Sequence, residues 1–174
     1  HRVLDGAVAG KLLKDFHDVI RYGMVICPEW IRIPRVVRDI PVEYIHGGND
    51  VPHLRQVIET DLKKTSFKFK EIRSREITNF PHYHDINKHG ILKVRTYPAS
   101  NGTEYFISYE TKNAEALYGF LRLRIVNNDK NQIYECLKKK GLIRELHVYG
   151  NVTPVGKTNS NVQHSGIGKK LLKE

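Results

Sequence analysis

The chain has 174 residues, 40% hydrophobic and 28% charged, enough to bury one moderate core or parts of two. Lys and Arg number 29 against 19 acidic residues, a formal charge of +10 that favours polyanionic partners and argues against a groove built for basic peptides. The two cysteines, Cys27 and Cys136, stand far apart and exclude a disulfide framework or a thiolate metal site, while no apolar run is long enough to span a membrane. Free structural thiols in a reducing, intracellular setting are the expectation. His1 in the first position suggests a cropped or processed product.

Val8 to Ile20 sets apolar residues at helical spacing and predicts a helix ending near Tyr22-Gly23. Trp30 to Val37 predicts a short strand, with prolines on either side and three arginines, Arg32, Arg35 and Arg38, along it. His46-Gly47-Gly48-Asn49 is a loop by composition, and Pro52 to Lys63 reads as a helix. The most basic run follows. Lys63, Lys64, Lys68, Lys70, Arg73 and Arg75 interleave with Phe67 and Phe69, a composition able to grip phosphates and stack on bases. The same run also reads, and reads better, as an amphipathic connector with Phe67, Phe69 and Ile72 turned inward and the charges solvated.

His82-Tyr83-His84, with Asp85 beside it and His89 near, is the densest histidine group. No cysteine or further carboxylate completes a metal spacing, so a solvated loop or an RNA contact is expected there. Residues 91–126 read as an antiparallel set: Ile91 to Tyr97, a turn over Pro98 to Gly102, Glu104 to Glu110, then Leu117 to Ile125. Arg122 and Arg124 share one face of the third strand under period 2, toward a phosphate or toward solvent. Gln132 to Lys140 predicts a short helix. Leu142 to Tyr149, flanked by Gly141 and Gly150, reads as a buried strand. Gln163-His164-Ser165-Gly166-Ile167-Gly168 then leads into a helix at Lys169. A glycine-containing turn at a helix start makes an anion site, because the first-turn N–H groups have no intrahelical acceptor.

The spacing of Gln163, Gly166 and Gly168 resembles the coenzyme A pyrophosphate loop of GNAT-type N-acetyltransferases. Arg144-Glu145-Leu146-His147-Val148-Tyr149-Gly150, at this distance before Gln163-His164, is similar to the acetyltransferase domain of the Elongator catalytic subunit. That family joins a radical-SAM domain to an acetyl-CoA-binding domain and modifies the wobble uridine of tRNA. Arg35-Val36-Val37-Arg38-Asp39-Ile40-Pro41, Arg73-Ser74-Arg75-Glu76 and Leu121-Arg122-Leu123-Arg124 resemble further family segments. The resemblance implies an α/β (α+β) architecture: the end of a radical-SAM barrel over residues 1–62, a basic linker over 63–80, and an incomplete GNAT-type domain over 81–174. Its mixed or antiparallel sheet is flanked by helices, and the chain is a central to C-terminal piece of a longer enzyme.

By the same resemblance, acetyl-CoA would lie along Glu145, Leu146, His147 and Val148, its pyrophosphate over Gln163, His164, Ser165, Gly166, Ile167, Gly168 and Lys169. Glu145 and His147 are expected near the cofactor, and no catalytic residue is assigned. Many relatives carry cysteines at the linker that can hold a metal; Phe69, Glu71 and Ser74 occupy those places here, so no metal is expected. S-adenosylmethionine and a [4Fe-4S] cluster would belong to the full-length enzyme, since no three-cysteine motif is present. The implied partners are tRNA, through Lys63, Lys64, Lys68, Lys70, Arg73, Arg75, Arg122 and Arg124, and other Elongator subunits, with no membrane. The implied setting is the cytoplasm, and the nucleus as well in a eukaryote. A GNAT-type lysine acetyltransferase of proteins such as histones and a non-catalytic RNA-binding fragment stand as alternatives.

Overall fold

The computed structural model describes residues 6–34, 54–128, 130, 134–150 and 166–174. They fall into two units, His1–Arg73 and Ser74–Glu174.

In the first unit, α1 (Gly6–Ile26) runs past the predicted stop at Gly23, and α2 (Leu54–Lys64) presents Leu54, Ile58 and Leu62 on one face through their four-residue spacing. These three pack with Met24, and Ile20, Ile33, Phe67 and Phe69 close around them. Phe67 and Phe69 meet edge to face at 5.2 Å, so their rings are committed to packing rather than open to bases. Glu71 is fully buried and is satisfied by Arg55 Nη2 at 2.5 Å and by the N–H groups of Ile33 and Arg73 at 3.1 and 3.0 Å. A carboxylate stripped of water demands such donors. Residues 31–34 form no strand, contrary to the expectation for Trp30 to Val37. The Ile31 carbonyl accepts from the N–H of Ile72 at 2.9 Å. The rest of that expected strand and the loop at His46–Asn49 lie outside the described residues.

The second unit is a four-stranded antiparallel sheet in the order β1-β2-β3-β4, formed by Gly90–Ala99, Gly102–Thr111, Leu117–Val126 and Leu142–Val148. The β1–β2 hairpin is tighter than its sequence suggests. Ala99 pairs with Gly102, and Ser100 and Asn101 both take positive φ, 41° and 62°, which matches the twist of a two-residue turn. Pro98 therefore sits inside β1, which tolerates it because β1 is an edge strand. Before the sheet come single-turn 3-10 helices and α3 (Ile86–His89), whose first N–H groups are capped by the Asp85 carboxylate. Of the helix expected over Gln132–Lys140, the described residues show one 3-10 turn, Glu135–Leu137.

Period 2 splits the sheet into unlike faces. One carries Ile107, Leu121 and Val148, against which α4 (Ile167–Lys173) lays the buried Ile167 and Leu171. The other carries Phe106 and Phe120, stacked at 5.2 Å, among acids and arginines. No helix of the described residues is long and apolar enough to cross a membrane.

Candidate cofactor-binding site

Strand β4 was expected to be buried, and it is not. Leu142, Ile143 and Leu146 are 37%, 49% and 40% exposed, because β4 is the last strand and, among the described residues, pairs only with β3. Among the described residues no strand takes up its outer N–H and C=O groups, the kind of edge on which an extended ligand adds as a further strand.

The glycine turn comes to the same place. Gly166 adopts the left-handed conformation (φ 74°) at the start of α4 and supplies no side-chain cap. Gly166 O accepts the first helical bond, from Lys170 N–H at 3.0 Å, which leaves the N–H groups of Ile167, Gly168 and Lys169 pointing out of the helix start. A Cβ built on Gly168 would lie 3.9 Å from Val148 Cγ2 and 4.0 Å from Leu146 Cδ2. Two stretches separated in sequence, β4 and the start of α4, are thus neighbours. Lys169 and Lys170 are exposed there, the latter 5.3 Å over the Tyr109 ring. Gln163, His164 and Ser165 lie outside the described residues.

Glu145 and His147 share the face opposite Leu146 and Val148, as alternation predicts. Glu145 accepts from Arg122 Nε at 2.9 Å, so its carboxylate is already engaged. His147 is exposed, its ring 4.4 Å from Tyr149 and 6.2 Å from Phe120.

The candidate phosphate-binding cations divide. Lys63, Lys64, Lys68, Lys70 and Arg73 are exposed; Lys64 pairs with Asp61 at 2.9 Å, and Arg73 donates to the Pro34 carbonyl. Arg75 is a correction: it is 1% exposed, bound to Glu110 at 3.0 Å, and presents nothing to RNA. Arg122 stacks on Phe106 and Phe120 and reaches Tyr97 Oη at 3.4 Å, while Arg124 donates to Glu104 and to the carbonyls of Ala99 and Ser100. Both serve the sheet. What sequence reasoning missed are the acids that hold these cations, Glu104 and Glu110. The available signal was an acid at alternate positions of a strand facing arginines on its neighbours.

No family model matches the chain. Individual proteins do. It is 34% identical over 159 residues to Elongator complex protein 3 of Schizosaccharomyces pombe and 32% over 162 residues to that of Homo sapiens, covering 90% and 92% of this chain and 29% of each relative. The tRNA uridine(34) acetyltransferase of Methanocaldococcus jannaschii is 35% identical over 167 residues, 90% of this chain and 30% of that protein. Among solved structures, archaeal Elongator protein 3 from Methanocaldococcus infernus, with residues 1–46 deleted, superposes with a TM-score of 0.73 at 32% identity, over 90% of this chain and 38% of the other. Across the stretch that matches, the chain belongs with the Elongator protein 3 family. It spans about three-tenths of the length of those relatives. The antiparallel sheet with its helices is the Elongator protein 3 architecture for this part of the chain.

Proposed function

We propose that this chain is part of a tRNA-modifying acyltransferase, holding acetyl-CoA on β4 and on the loop Gln163–Lys169, with the wobble uridine of tRNA as acceptor and a 5-carboxymethyluridine as product. The observation that carries the reading is the placement of Gly168 against Leu146 and Val148, which joins a helix start to a strand that, among the described residues, has one edge unpaired. The names of the relatives supply the chemistry: one is called a tRNA uridine(34) acetyltransferase. The cofactor would supply an activated acetyl group. The β4 main chain would bind its pantetheine arm, and the N–H groups of Ile167, Gly168 and Lys169 its pyrophosphate.

The partners in this reading are tRNA and other Elongator subunits, with Lys63, Lys64, Lys68, Lys70 and Arg73 as the exposed phosphate contacts. S-adenosylmethionine and a [4Fe-4S] cluster do not fit the residues present. The chain has two cysteines, Cys27 buried and Cys136 exposed, and among the described residues no three His, Cys, Asp or Glu side chains converge.

The test is calorimetric titration of the full chain with acetyl-CoA and desulfo-CoA, wild type against Gly168→Asp. A Cβ at Gly168 meets only ordinary contacts, and an acid in the first turn favours the helix dipole, so the fold tolerates the change. A pyrophosphate does not tolerate it. Saturable binding that weakens by roughly ten-fold or more in the variant is expected. Equal binding by both proteins would remove the loop from the site, and absence of binding by the folded wild type would refute the reading.

A further inference from the structure

Within residues 80–89, Phe80, His82, Tyr83 and His89 bring four rings together outside the proposed acetyl-CoA site. The Tyr83 centroid lies 4.2 Å from that of His82, 5.3 Å from His89 and 6.5 Å from Phe80. Tyr83 is held from both ends. Its hydroxyl donates to Glu115 Oε2 at 3.1 Å and accepts from Asn113 Nδ2 at 3.2 Å, while its carbonyl accepts from Tyr118 Oη at 2.7 Å. His82, by contrast, is exposed, and its described contacts are ring contacts with Phe80 and Tyr83. The histidine group is therefore an anchored aromatic cluster with the exposed His82 ring at its edge.

Charges of both signs surround it. Lys88 and Lys112 are exposed, adjacent in sequence to His89 and Asn113 of the cluster. The two nearby acids keep their charge but direct oxygens into the fold: Asp85 accepts from the N–H groups of Asn87 and Lys88, and Glu115 from Tyr83 and Asn113. Among the described residues no metal-ligand group of three converges here. A nucleobase suits such a surface better than an apolar protein side chain does. Its π-face stacks on a ring whatever the sequence, and its flanking phosphates meet lysines.

We infer that this cluster is a stacking platform for one unpaired base of single-stranded RNA, with His82 as the ring the base meets and Lys88 and Lys112 as phosphate contacts. The inference rests on the proposed function only in taking RNA as the partner.

The experiment uses the full chain and a short single-stranded RNA carrying 2-aminopurine, read by anisotropy and by quenching of the base. His82→Ala should weaken binding by about 5- to 140-fold, the range that loss of one stacked base implies, and reduce the quench. The slope of log affinity against log salt should stay the same, because a ring releases no counterions. His82→Phe should restore affinity and quench. Lys112→Ala should instead make the salt slope shallower by about 0.7, as for one phosphate contact. A blunt RNA duplex should bind wild type and His82→Ala equally. Equal single-strand affinity for wild type and His82→Ala, failure of Phe to rescue, or no RNA binding at all overturns the platform. Circular dichroism and melting of each variant guard against misfolding. Acetyl-CoA titration of the same proteins keeps the two ideas apart, since loss of cofactor binding refutes the acyltransferase reading and leaves the stacking result standing.

Discussion

Glu110 shows how much a single buried side chain carries. Its carboxylate is wholly inaccessible and meets Arg75 at 3.0 Å, Arg95 at 2.6 Å and Lys93 at 3.0 Å. Burial by itself pushes the carboxyl up, but the hydrogen bond from Arg95 and the charges of Arg75 and Arg95, with Lys93 behind them, outweigh it and hold the group below its ordinary value of 4.5. The unfolded chain therefore takes up this proton first. The contribution is complete above the unfolded value and is lost as pH falls through the folded one. Glu110→Gln should be less stable than wild type at neutral pH, and the gap should narrow on acidification below about pH 4.5 in urea titrations. Glu110→Ala should cost about 3–5 kcal/mol, because Arg75 remains buried without its partner. A gap that does not change with pH would show that this carboxylate is not the titrating group. Cysteine chemistry offers a second check. Burial, then the negative charge of Glu71, push the Cys27 thiol up against the opposing pull of Arg55, whereas Cys136 is exposed. A thiol reagent at neutral pH should modify Cys136 quickly and Cys27 only as the protein opens.

At the scale of elements, the pairing of β3 with β4 depends on a missing side chain. Gly119 sits opposite Val148, and a Cβ there would lie 2.8 Å from the His147 carbonyl and 3.2 Å from Val148 Cα, both backbone atoms. Gly119→Ala should destabilise the chain by about 1–3 kcal/mol in denaturant titration and speed amide exchange along β4 before the rest of the sheet. Uniform exchange would mean that β4 does not open separately. The strands themselves were readable, since Ile91 to Tyr97, Glu104 to Glu110 and Leu117 to Ile125 alternate or run apolar between turn signals, and β1–β3 lie there. The burial of β4 was misread because Leu142, Ile143, Leu146 and Val148 look like core residues. Periodicity reports which residues share a face, and strand order decides whether anything covers it. Arg75 was misread for a related reason: its partner stands 35 residues away on β2, and a local sequence pattern does not show that contact. Of the candidate site, the spacing of β4 and the glycine turn was legible, whereas their contact at Gly168 depends on where α4 packs.

Across the whole molecule the +10 charge is unevenly spent. Arg55, Arg75, Arg95, Arg122, Arg124 and Arg144 are each tied to a carboxylate, as suits a planar fork of donors, while Lys63, Lys68, Lys70, Lys169 and Lys173 remain exposed. Among the described residues, lysines therefore supply much of the positive charge left exposed to a polyanion. The ion networks also bear on independent folding. Glu71 with Arg55, Glu59 and Ile33 belongs to residues 1–73, and Glu110 with Arg75, Lys93 and Arg95 belongs to residues 74–174. A break between Arg73 and Ser74 leaves Glu71 with Arg55 and Glu59 on one side, and Glu110 with Arg75, Lys93 and Arg95 on the other together with Phe106, Phe120, Ile167 and Leu171. A chain beginning at Ser74 should accordingly unfold in one cooperative thermal transition and keep the acid sensitivity assigned to Glu110. A chain beginning at Gly90 lacks Arg75 and the buried Ile77 and Ile86, leaves Glu110 short of a cation, and should melt lower and more broadly. Equal melting of the two shorter chains would show that residues 74–89 contribute no stability to the sheet, and with it that the Arg75–Glu110 pair is an ornament of the fold rather than a support.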